Sequence, residues 1–303
     1  MSKLRSAVKS MRLRTLPLSL AGVCLGILLA TADYKVSVWT SLLIMLTTVF
    51  LQILSNLSNE LGDVLHGTDT DSRKGPQYGL NSGEMTIGQM KALIGGTIVL
   101  CIAFGLLMIK SSFGKIFSLD GICMMMLGAA AISGAMKYTL GRNPYGYRGL
   151  GDIFVFIFFG IVAVVGAYFV AAHAMPWWIL LPAASIGCFS VGVLNVNNIR
   201  DMETDAFTRT TVAIRLGDRK ARIYQTALVV LGWIFMLAFC SVRFFDLWHY
   251  LFVLTLPLYI IHLRGVWKLD GKALDRMLPL LVISTFLFAI LTGFGFVAFL
   301  IFQ

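Results

Sequence analysis

The sequence predicts an all-α, polytopic membrane protein that forms a single membrane-embedded domain over residues 1–303. Hydrophobic residues make up 58% of the chain and charged residues 13%, and the mean hydropathy is +0.82. Soluble globular domains contain about 25% charged residues, so this composition excludes a soluble fold. The long charge-free windows are apolar throughout and do not alternate, which indicates spanning helices and excludes the strands of a membrane barrel.

Each charge-free window is assigned to one helix, except the longest window, which is assigned two. A hydrocarbon core of about 30 Å is crossed by about 20 helical residues. Window 153–199 is too long for one span, and Pro176 followed by Trp177 and Trp178 divides it. The nine predicted spans are 15–32, 36–59, 92–109, 121–136, 153–172, 178–198, 223–242, 247–263 and 277–303.

Lysine and arginine residues are distributed very unequally between the two sides of this arrangement. With the N-terminus inside, the outer segments hold only Lys35, Lys110, Lys115 and Arg243 out of 25 basic residues. Because basic residues concentrate in cytoplasmic loops, we predict a cytoplasmic N-terminus and an outer C-terminus. The net charge of +10 then reflects topology and contacts with anionic membrane lipids, and does not indicate nucleic-acid binding.

Acidic residues concentrate in two short clusters that follow the second and sixth predicted helices. The oxygen-bearing residues of interest are Asn59, Asp63 and Asp69 in the first cluster and Asn197, Asp201 and Asp205 in the second. Residues four apart share one helical face, so each cluster presents a column of oxygen ligands at the inner end of a span. Carboxylates gathered there repel one another, and Mg²⁺ bound to a diphosphate is the partner that such oxygen ligands favour.

Basic and aromatic residues accompany the two acidic clusters on the inner side. Arg73, Lys74, Arg142 and Arg209 are placed to neutralise a diphosphate. The loop after the fourth helix is rich in tyrosine and arginine, and we expect it to form a pocket wall with the residues Tyr138, Arg142, Tyr145, Tyr147 and Arg148. The four histidines show no metal-ligand spacing, so zinc and haem are not indicated.

These motifs resemble the UbiA superfamily of intramembrane prenyltransferases, nine-helix proteins with Asn-Asp-x-x-Asp after helix 2 and Asp-x-x-x-Asp after helix 6. More narrowly, segments 11–18, 51–59, 144–152 and 197–201 are similar to the 1,4-dihydroxy-2-naphthoate polyprenyltransferases of menaquinone synthesis. The resemblance covers residues 11–220. Glu60 departs from the pattern because it stands where the family has Asp, and on this basis a Glu60→Asp replacement is expected to be tolerated.

The resemblance implies transfer of a polyprenyl chain from polyprenyl diphosphate to 1,4-dihydroxy-2-naphthoate, with loss of diphosphate and CO₂, at the cytoplasmic side of a bacterial inner membrane. It implies Mg²⁺ held by Asn59, Asp63, Asp69, Asn197, Asp201 and Asp205. The implied catalytic residues are Asp63, Asp201, Asp205, Tyr138 and Arg142. Implied substrate contacts are Asn56, Arg73, Lys74, Tyr145, Tyr147, Arg148 and Arg209, with Arg142 or Arg148 pairing the naphthoate carboxylate.

Two alternatives remain at this point. Within the superfamily, the acceptor could instead be 4-hydroxybenzoate, because fold does not fix substrate. In a different class, a secondary transporter also combines spanning helices with intramembrane polar groups. A transporter would place ionisable groups near the middle of broken helices, whereas every acidic residue here lies at a helix end or in a loop.

Overall fold

The computed structural model describes residues 3–67, 77–243 and 246–302, and every regular element in these ranges is a helix. Nine helices within these ranges are long and apolar enough to cross a membrane, as the charge-free windows predicted. We number them α1 (Leu16–Asp33), α2 (Val38–Leu65), α3 (Ile87–Phe113), α4 (Leu119–Lys137), α5 (Gly151–Ala172), α6 (Trp177–Arg200), α7 (Asp218–Arg243), α8 (Leu247–Lys268) and α9 (Gly271–Ala298). A separate helix, Lys3–Ser10, precedes α1.

Several helices extend beyond the charge-free windows on the side of the acidic clusters. Helix α2 continues to Leu65, so Asn59 and Asp63 lie within its last turns. Helix α7 already begins at Asp218. Charged residues are tolerated once a helix has left the hydrocarbon layer, so a charge-free window measures the membrane core and underestimates the helix.

Polar side chains define where three of the spanning helices begin. Ser37 caps α2 by accepting a hydrogen bond from the backbone N–H of Thr40, and Ser118 caps α4 in the same way. At α3, Thr86 and Gln89 form a reciprocal capping box. These contacts satisfy backbone N–H groups that have no partner inside the helix.

Helix α5 contains a π-helical turn over Phe156–Val162. Gly160 in this turn packs directly against α6, because a Cβ built on it would lie 2.6 Å from the Cα of Gly187. Only glycine allows the two backbones to approach this closely. Turns of this kind insert one extra residue into an α-helix and are frequent at functional sites.

The main hydrophobic core lies between five helices. Leu25, Tyr168, Phe189, Phe239 and Phe288 come from α1, α5, α6, α7 and α9, and each is almost completely buried. Helix α4 is peripheral by contrast, since 11% of its apolar stretch is buried compared with 72% for α6. Helix α4 therefore forms a boundary between the protein interior and the lipid.

An ion pair ties the helices together at the end of the bundle opposite the acidic clusters. Asp33, at the C-terminus of α1, pairs with Arg243 at the C-terminus of α7 and accepts a hydrogen bond of 2.7 Å from the Tyr168 hydroxyl. The guanidinium of Arg243 also stacks on Trp178, 4.2 Å from the ring centroid. Four helices are thus joined by charge and aromatic contacts.

Candidate active site

The two acidic clusters meet at one end of the helix bundle, as their pattern predicts. Arg209 lies between them, with Nη2 2.6 Å from Oδ2 of Asp205 and Nη1 3.8 Å from Oδ1 of Asp63. Asp63 belongs to α2, whereas Asp205 ends the short helix Met202–Asp205 that follows α6. Both carboxylates are buried, and the Arg209 side chain is 8% exposed.

Arg209 is held in its charged form by this arrangement. Burial disfavours a guanidinium ion, but the two carboxylates outweigh that effect and raise the pKa of Arg209 above its ordinary value. The Arg209 guanidinium also lies 5.7 Å from the centroid of the Tyr147 ring, within cation–π range. The Tyr147 hydroxyl donates a 2.8 Å hydrogen bond to Oδ1 of Asp63, so Tyr147 orients the same carboxylate that Arg209 faces.

Asp201 has a different environment from Asp205, although the two residues are four positions apart. Helix α6 ends at Arg200, and Asp201 adopts φ −97° and ψ 8° before the next short helix. The Arg200 fork donates to both oxygens of Asp201, at 2.9 and 2.6 Å, and to Asp275 at 2.6 Å. Instead of one straight helical column over 197–205, the backbone bends at Asp201 and each carboxylate faces its own arginine.

Asn59 and Asn197 supply amide oxygens beside these carboxylates. The Oδ1 atom of Asn59 accepts from the Thr139 hydroxyl at 3.4 Å, and that of Asn197 accepts from Nη2 of Arg200 at 2.8 Å. Both side chains are half-buried. Asp69, Arg73 and Lys74, which are predicted to contribute to the same site, lie outside the described residues.

A cavity of about 330 Å³ lies between α1, α2, α4 and α5, with contributions from α3 and α6. Its polar lining residues include Gln52, Ser55, Asn56, Asn59 and Tyr138. Its apolar lining residues include Val23, Ile44, Leu51, Met108, Met124, Leu127, Phe158, Phe159 and Val170. From Asn59 to Ile44 along α2 the axial distance is about 22 Å at 1.5 Å per residue. The cavity therefore extends from the acidic site across more than half of a hydrocarbon core of about 30 Å.

Tyr138 joins the cavity to the acidic site. It lines the cavity at the end of α4, and its ring meets Tyr145 edge to face with centroids 5.4 Å apart. Burial raises the pKa of Tyr138 to about 12, with Arg209 lowering it and Asp63 among the carboxylates that raise it further. These charges act on Tyr138 because it lies close to Arg209 and its carboxylate partners. With this raised pKa, the Tyr138 phenol is neutral at physiological pH.

Tyr145 and Asn56 also line the cavity, and both are held by contacts within the protein. The Tyr145 hydroxyl donates to the carbonyl of Gly134 at 2.8 Å, and its ring stacks on Phe154 at a centroid distance of 3.8 Å. The amide of Asn56 donates to the carbonyl of Met11 at 2.9 Å. Both residues therefore shape the wall of the cavity.

Arg142 and Arg148 are exposed on the loop after α4 and are not among the residues that line the cavity. The backbone carbonyl of Arg148 accepts a 3.0 Å hydrogen bond from Nη2 of Arg215. Their assignment to the acceptor carboxylate remains a prediction from the sequence.

Sequence reasoning missed two residues of this site, Arg200 and Asp275. Arg200 is adjacent to Asp201, and its position beside an acidic motif was a usable signal. Asp275 lies in the segment that begins α9, and nothing in its local pattern connects it to the second cluster.

The residues present fit a magnesium ion. Carboxylate and amide oxygens are the ligands that Mg²⁺ prefers, and it usually binds through one or two carboxylates together with substrate phosphates. The buried Asp63, Asp201 and Asp205 carry three negative charges, against two positive charges on Arg200 and Arg209. Within the described ranges no three His, Cys, Asp or Glu residues form a metal cluster. The donor set is instead mixed, with asparagine and carboxylate oxygens.

Comparisons with known proteins agree with this architecture. A 1,4-dihydroxy-2-naphthoate octaprenyltransferase of Escherichia coli (strain K12) is 35% identical over 279 residues, which is 91% of this chain and 90% of the relative. A protein of the same description from Mycobacterium tuberculosis is 37% identical over 228 residues, covering 74% and 75% of the two chains.

Solved structures show the same fold at lower sequence identity. The apo structure of a UbiA homolog from Aeropyrum pernix K1 superposes with a TM-score of 0.69 at 15% identity and covers 99% of both chains. A UbiA homolog from Archaeoglobus fulgidus, bound to DMAPP and Mg²⁺, gives a TM-score of 0.62 at 16% identity and covers 97% of this chain and 99% of its own. The model of the UbiA prenyltransferase family matches residues 19–284, and the chain belongs to this family.

Proposed function

We propose that the protein transfers a polyprenyl chain from its diphosphate to 1,4-dihydroxy-2-naphthoate, with loss of diphosphate and CO₂. The observation that carries this proposal is the junction between the Asp63–Arg209–Asp205 site and the apolar cavity. A polyprenyl diphosphate has one strongly anionic end and one long apolar end, and the junction offers a matching surface to each. Relatives with the naphthoate activity cover most of the chain, which supports this acceptor over 4-hydroxybenzoate.

The cofactor of this reaction is proposed to be Mg²⁺, held by Asn59, Asp63, Asn197, Asp201 and Asp205. Asp69 completes the proposed set from outside the described residues. The bound ion would supply charge neutralisation to the departing diphosphate. The Archaeoglobus fulgidus homolog, whose structure is described as bound to DMAPP and Mg²⁺, supports this assignment.

The chain's own residues perform three tasks in this proposal. Tyr147 and Arg209 fix the orientation of Asp63 through the hydrogen bond and ion pair described above. Breaking the allylic C–O bond develops positive charge on the prenyl group, and the ring of Tyr138, which lines the cavity, is proposed to stabilise that charge. Because the cavity wall is apolar, it keeps water away from the carbocation. The carbocation is therefore left to react with the aromatic acceptor.

Charged residues on the same side contribute the substrate contacts. Arg73 and Lys74 are proposed to bind the diphosphate, and Arg142 or Arg148 the naphthoate carboxylate. The site is assigned to the cytoplasmic face of a bacterial inner membrane, because the helix ends that carry it also carry most of the basic residues. The secondary-transporter alternative has less support, since the acidic residues in the described ranges occupy helix ends, loops and short connecting helices.

One assay tests the proposed function directly. The purified protein is incubated in lipid with Mg²⁺, prenyl diphosphates of several lengths and either dihydroxynaphthoate or 4-hydroxybenzoate, and the lipid product and CO₂ are measured. We expect prenylated naphthoquinol and one CO₂ per product only with dihydroxynaphthoate. Product formation with hydroxybenzoate alone, or no product from either acceptor, would contradict the proposal.

A further inference from the structure

Glu60 follows Asn59 in the first acidic cluster, but its carboxylate contacts the loop 77–86 that leads into α3. The side chain is completely buried, and Oε1 accepts a 2.6 Å hydrogen bond from the backbone N–H of Leu80. The second oxygen, Oε2, has no hydrogen-bond partner within the described ranges and is enclosed by protein atoms. The hydrogen bond of Glu60 is therefore made to the loop 77–86 and not to the Asp63–Arg209 pair.

Helix geometry explains why Glu60 and Asp63 face different partners. Successive residues of an α-helix are rotated by about 100°, so Glu60 is directed about 60° away from Asp63 and about 100° away from Asn59. Asn59 lines the cavity, while the backbone contact of Glu60 is with Leu80. The residue that replaces the family's aspartate thus lies at the border of the metal-facing surface.

The loop that Glu60 contacts is also held by the N-terminal helix Lys3–Ser10. The backbone N–H of Gly79 donates to the hydroxyl of Ser10 at 3.1 Å, and Ser10 is completely buried. A Cβ at Gly79 would lie 2.8 Å from this hydroxyl oxygen, so the loop and the helix are in direct contact. Leu80 itself packs in the hydrophobic cluster that contains Leu57 of α2.

The length of the Glu60 side chain matters for this contact. Aspartate is one methylene shorter, about 1.5 Å, and a donor–acceptor distance of 2.6 Å extended by that amount exceeds hydrogen-bonding range. Glutamine has the length of glutamate and keeps an acceptor oxygen for the Leu80 N–H. Glu60→Asp and Glu60→Gln therefore separate a role based on length from a role based on charge.

We propose that Glu60 is a positioning residue that fixes the loop 77–86 through the Leu80 N–H, and that it is not a ligand of the metal ion. The part concerning the metal rests on the proposed function, whereas the part concerning the loop does not. A charged ligand of the metal ion at this position should tolerate the family's aspartate and bind the ion more weakly as the neutral glutamine. A positioning residue should show the reverse order.

The experiment compares wild type with Glu60→Gln, Glu60→Asp and Ser10→Ala in lipid. Ser10→Ala is the matched control because it removes a hydrogen bond to the neighbouring Gly79 N–H of the same loop without altering the acidic cluster. Hydrogen exchange of the segment 77–86 is measured without metal or substrate. We expect exchange faster by about tenfold or more in Glu60→Asp and Ser10→Ala, the equivalent of one lost buried hydrogen bond, and near wild-type exchange in Glu60→Gln.

Activity as a function of Mg²⁺ concentration provides the second readout. We expect an unchanged Mg²⁺ midpoint in all three variants, with kcat/KM reduced in Glu60→Asp and restored in Glu60→Gln. A Glu60→Gln enzyme that needs much more Mg²⁺ while its loop exchanges normally would overturn the proposal. Equal hydrogen exchange of the segment 77–86 in wild type and Glu60→Asp would overturn the proposal as well. This outcome does not depend on the proposed function, because the exchange is measured without metal or substrate.

Discussion

Arg209 and Asp205 form a buried ion pair, with 2.6 Å between Nη2 and Oδ2, and the same guanidinium faces Asp63 on another helix. Two acidic clusters separated by more than 120 residues of chain are thereby joined through one arginine. Buried ion pairs contribute little net stability, but removing one partner leaves an uncompensated charge. The contact therefore holds the two clusters at a fixed distance from each other.

Replacing Asp63 or Asp201 by asparagine should abolish turnover while membrane insertion is retained. Both carboxylates are proposed ligands of the ion that neutralises diphosphate, and losses of about 10²-fold or more are typical when such electrostatic stabilisation is removed. The measurement is kcat with saturating dihydroxynaphthoate. Asp275→Asn is the matched control for Asp201→Asn, because Asp275 also pairs with Arg200 but lies outside the acidic motifs. Similar losses in Asp201→Asn and Asp275→Asn would assign the effect at Asp201 to Arg200 and not to the metal.

Arg209→Gln should reduce kcat/KM strongly, and Arg209→Lys should recover only part of the loss. Lysine keeps the charge but lacks the planar fork that lets arginine face two carboxylates at once. We expect the glutamine variant to lose at least about tenfold. The measurement is the ratio of kcat/KM between Arg209→Lys and Arg209→Gln. If lysine and glutamine were equally active, the charge between Asp63 and Asp205 would not contribute to the reaction.

Gly128→Trp should shorten the prenyl donors that the enzyme accepts. Gly128 lines the cavity on α4, and a Cβ added to it meets no atom within 4 Å, so the larger side chain can enter free space. We expect kcat/KM to fall more for long prenyl diphosphates than for short ones. Gly96→Trp on α3 is the control, since Gly96 is equally open but is not a cavity residue. An equal fall for all donor lengths would argue that the tail does not occupy this cavity.

The alkaline side of the pH–rate profile should be the same in wild type and Tyr138→Phe. Burial raises the pKa of Tyr138 to about 12, which favours the neutral phenol, so ionisation begins only well above the physiological range. Below that value Tyr138 contributes a neutral ring in both proteins. Profiles of kcat/KM between about pH 6 and 10 provide the measurement. A loss of wild-type activity in this range that disappears in Tyr138→Phe would show that the phenol titrates during catalysis.

Local patterns predicted the parts of the structure that depend on local chemistry. The step of four between Asn59 and Asp63 correctly indicated a helical end, because both residues lie on α2. The bend at Asp201 could not be predicted in this way. It accompanies a contact from Arg200 to Asp275, and these residues are 75 positions apart.

The same limit applies to Glu60. Its sequence context suggested a simple replacement for aspartate, whereas its partner is a backbone N–H 20 residues further along the chain. Side-chain length at this position is set by that tertiary distance. Residue type alone therefore indicated the chemistry of the cluster but not which member of it contacts a distant loop.

The π-helical turn Phe156–Val162 also constrains how this protein can change over evolutionary time. Two consecutive aromatic residues of the turn, Phe158 and Phe159, both line the cavity between α1, α2, α4 and α5. Because the turn already holds one residue more than the α-helix it interrupts, losing one residue there would give regular α-helix and leave the faces of α5 on either side of it nearly unrotated. A single codon deletion would thus change the aromatic wall locally while the rest of α5 keeps its packing, which offers a short genetic route to a reshaped cavity.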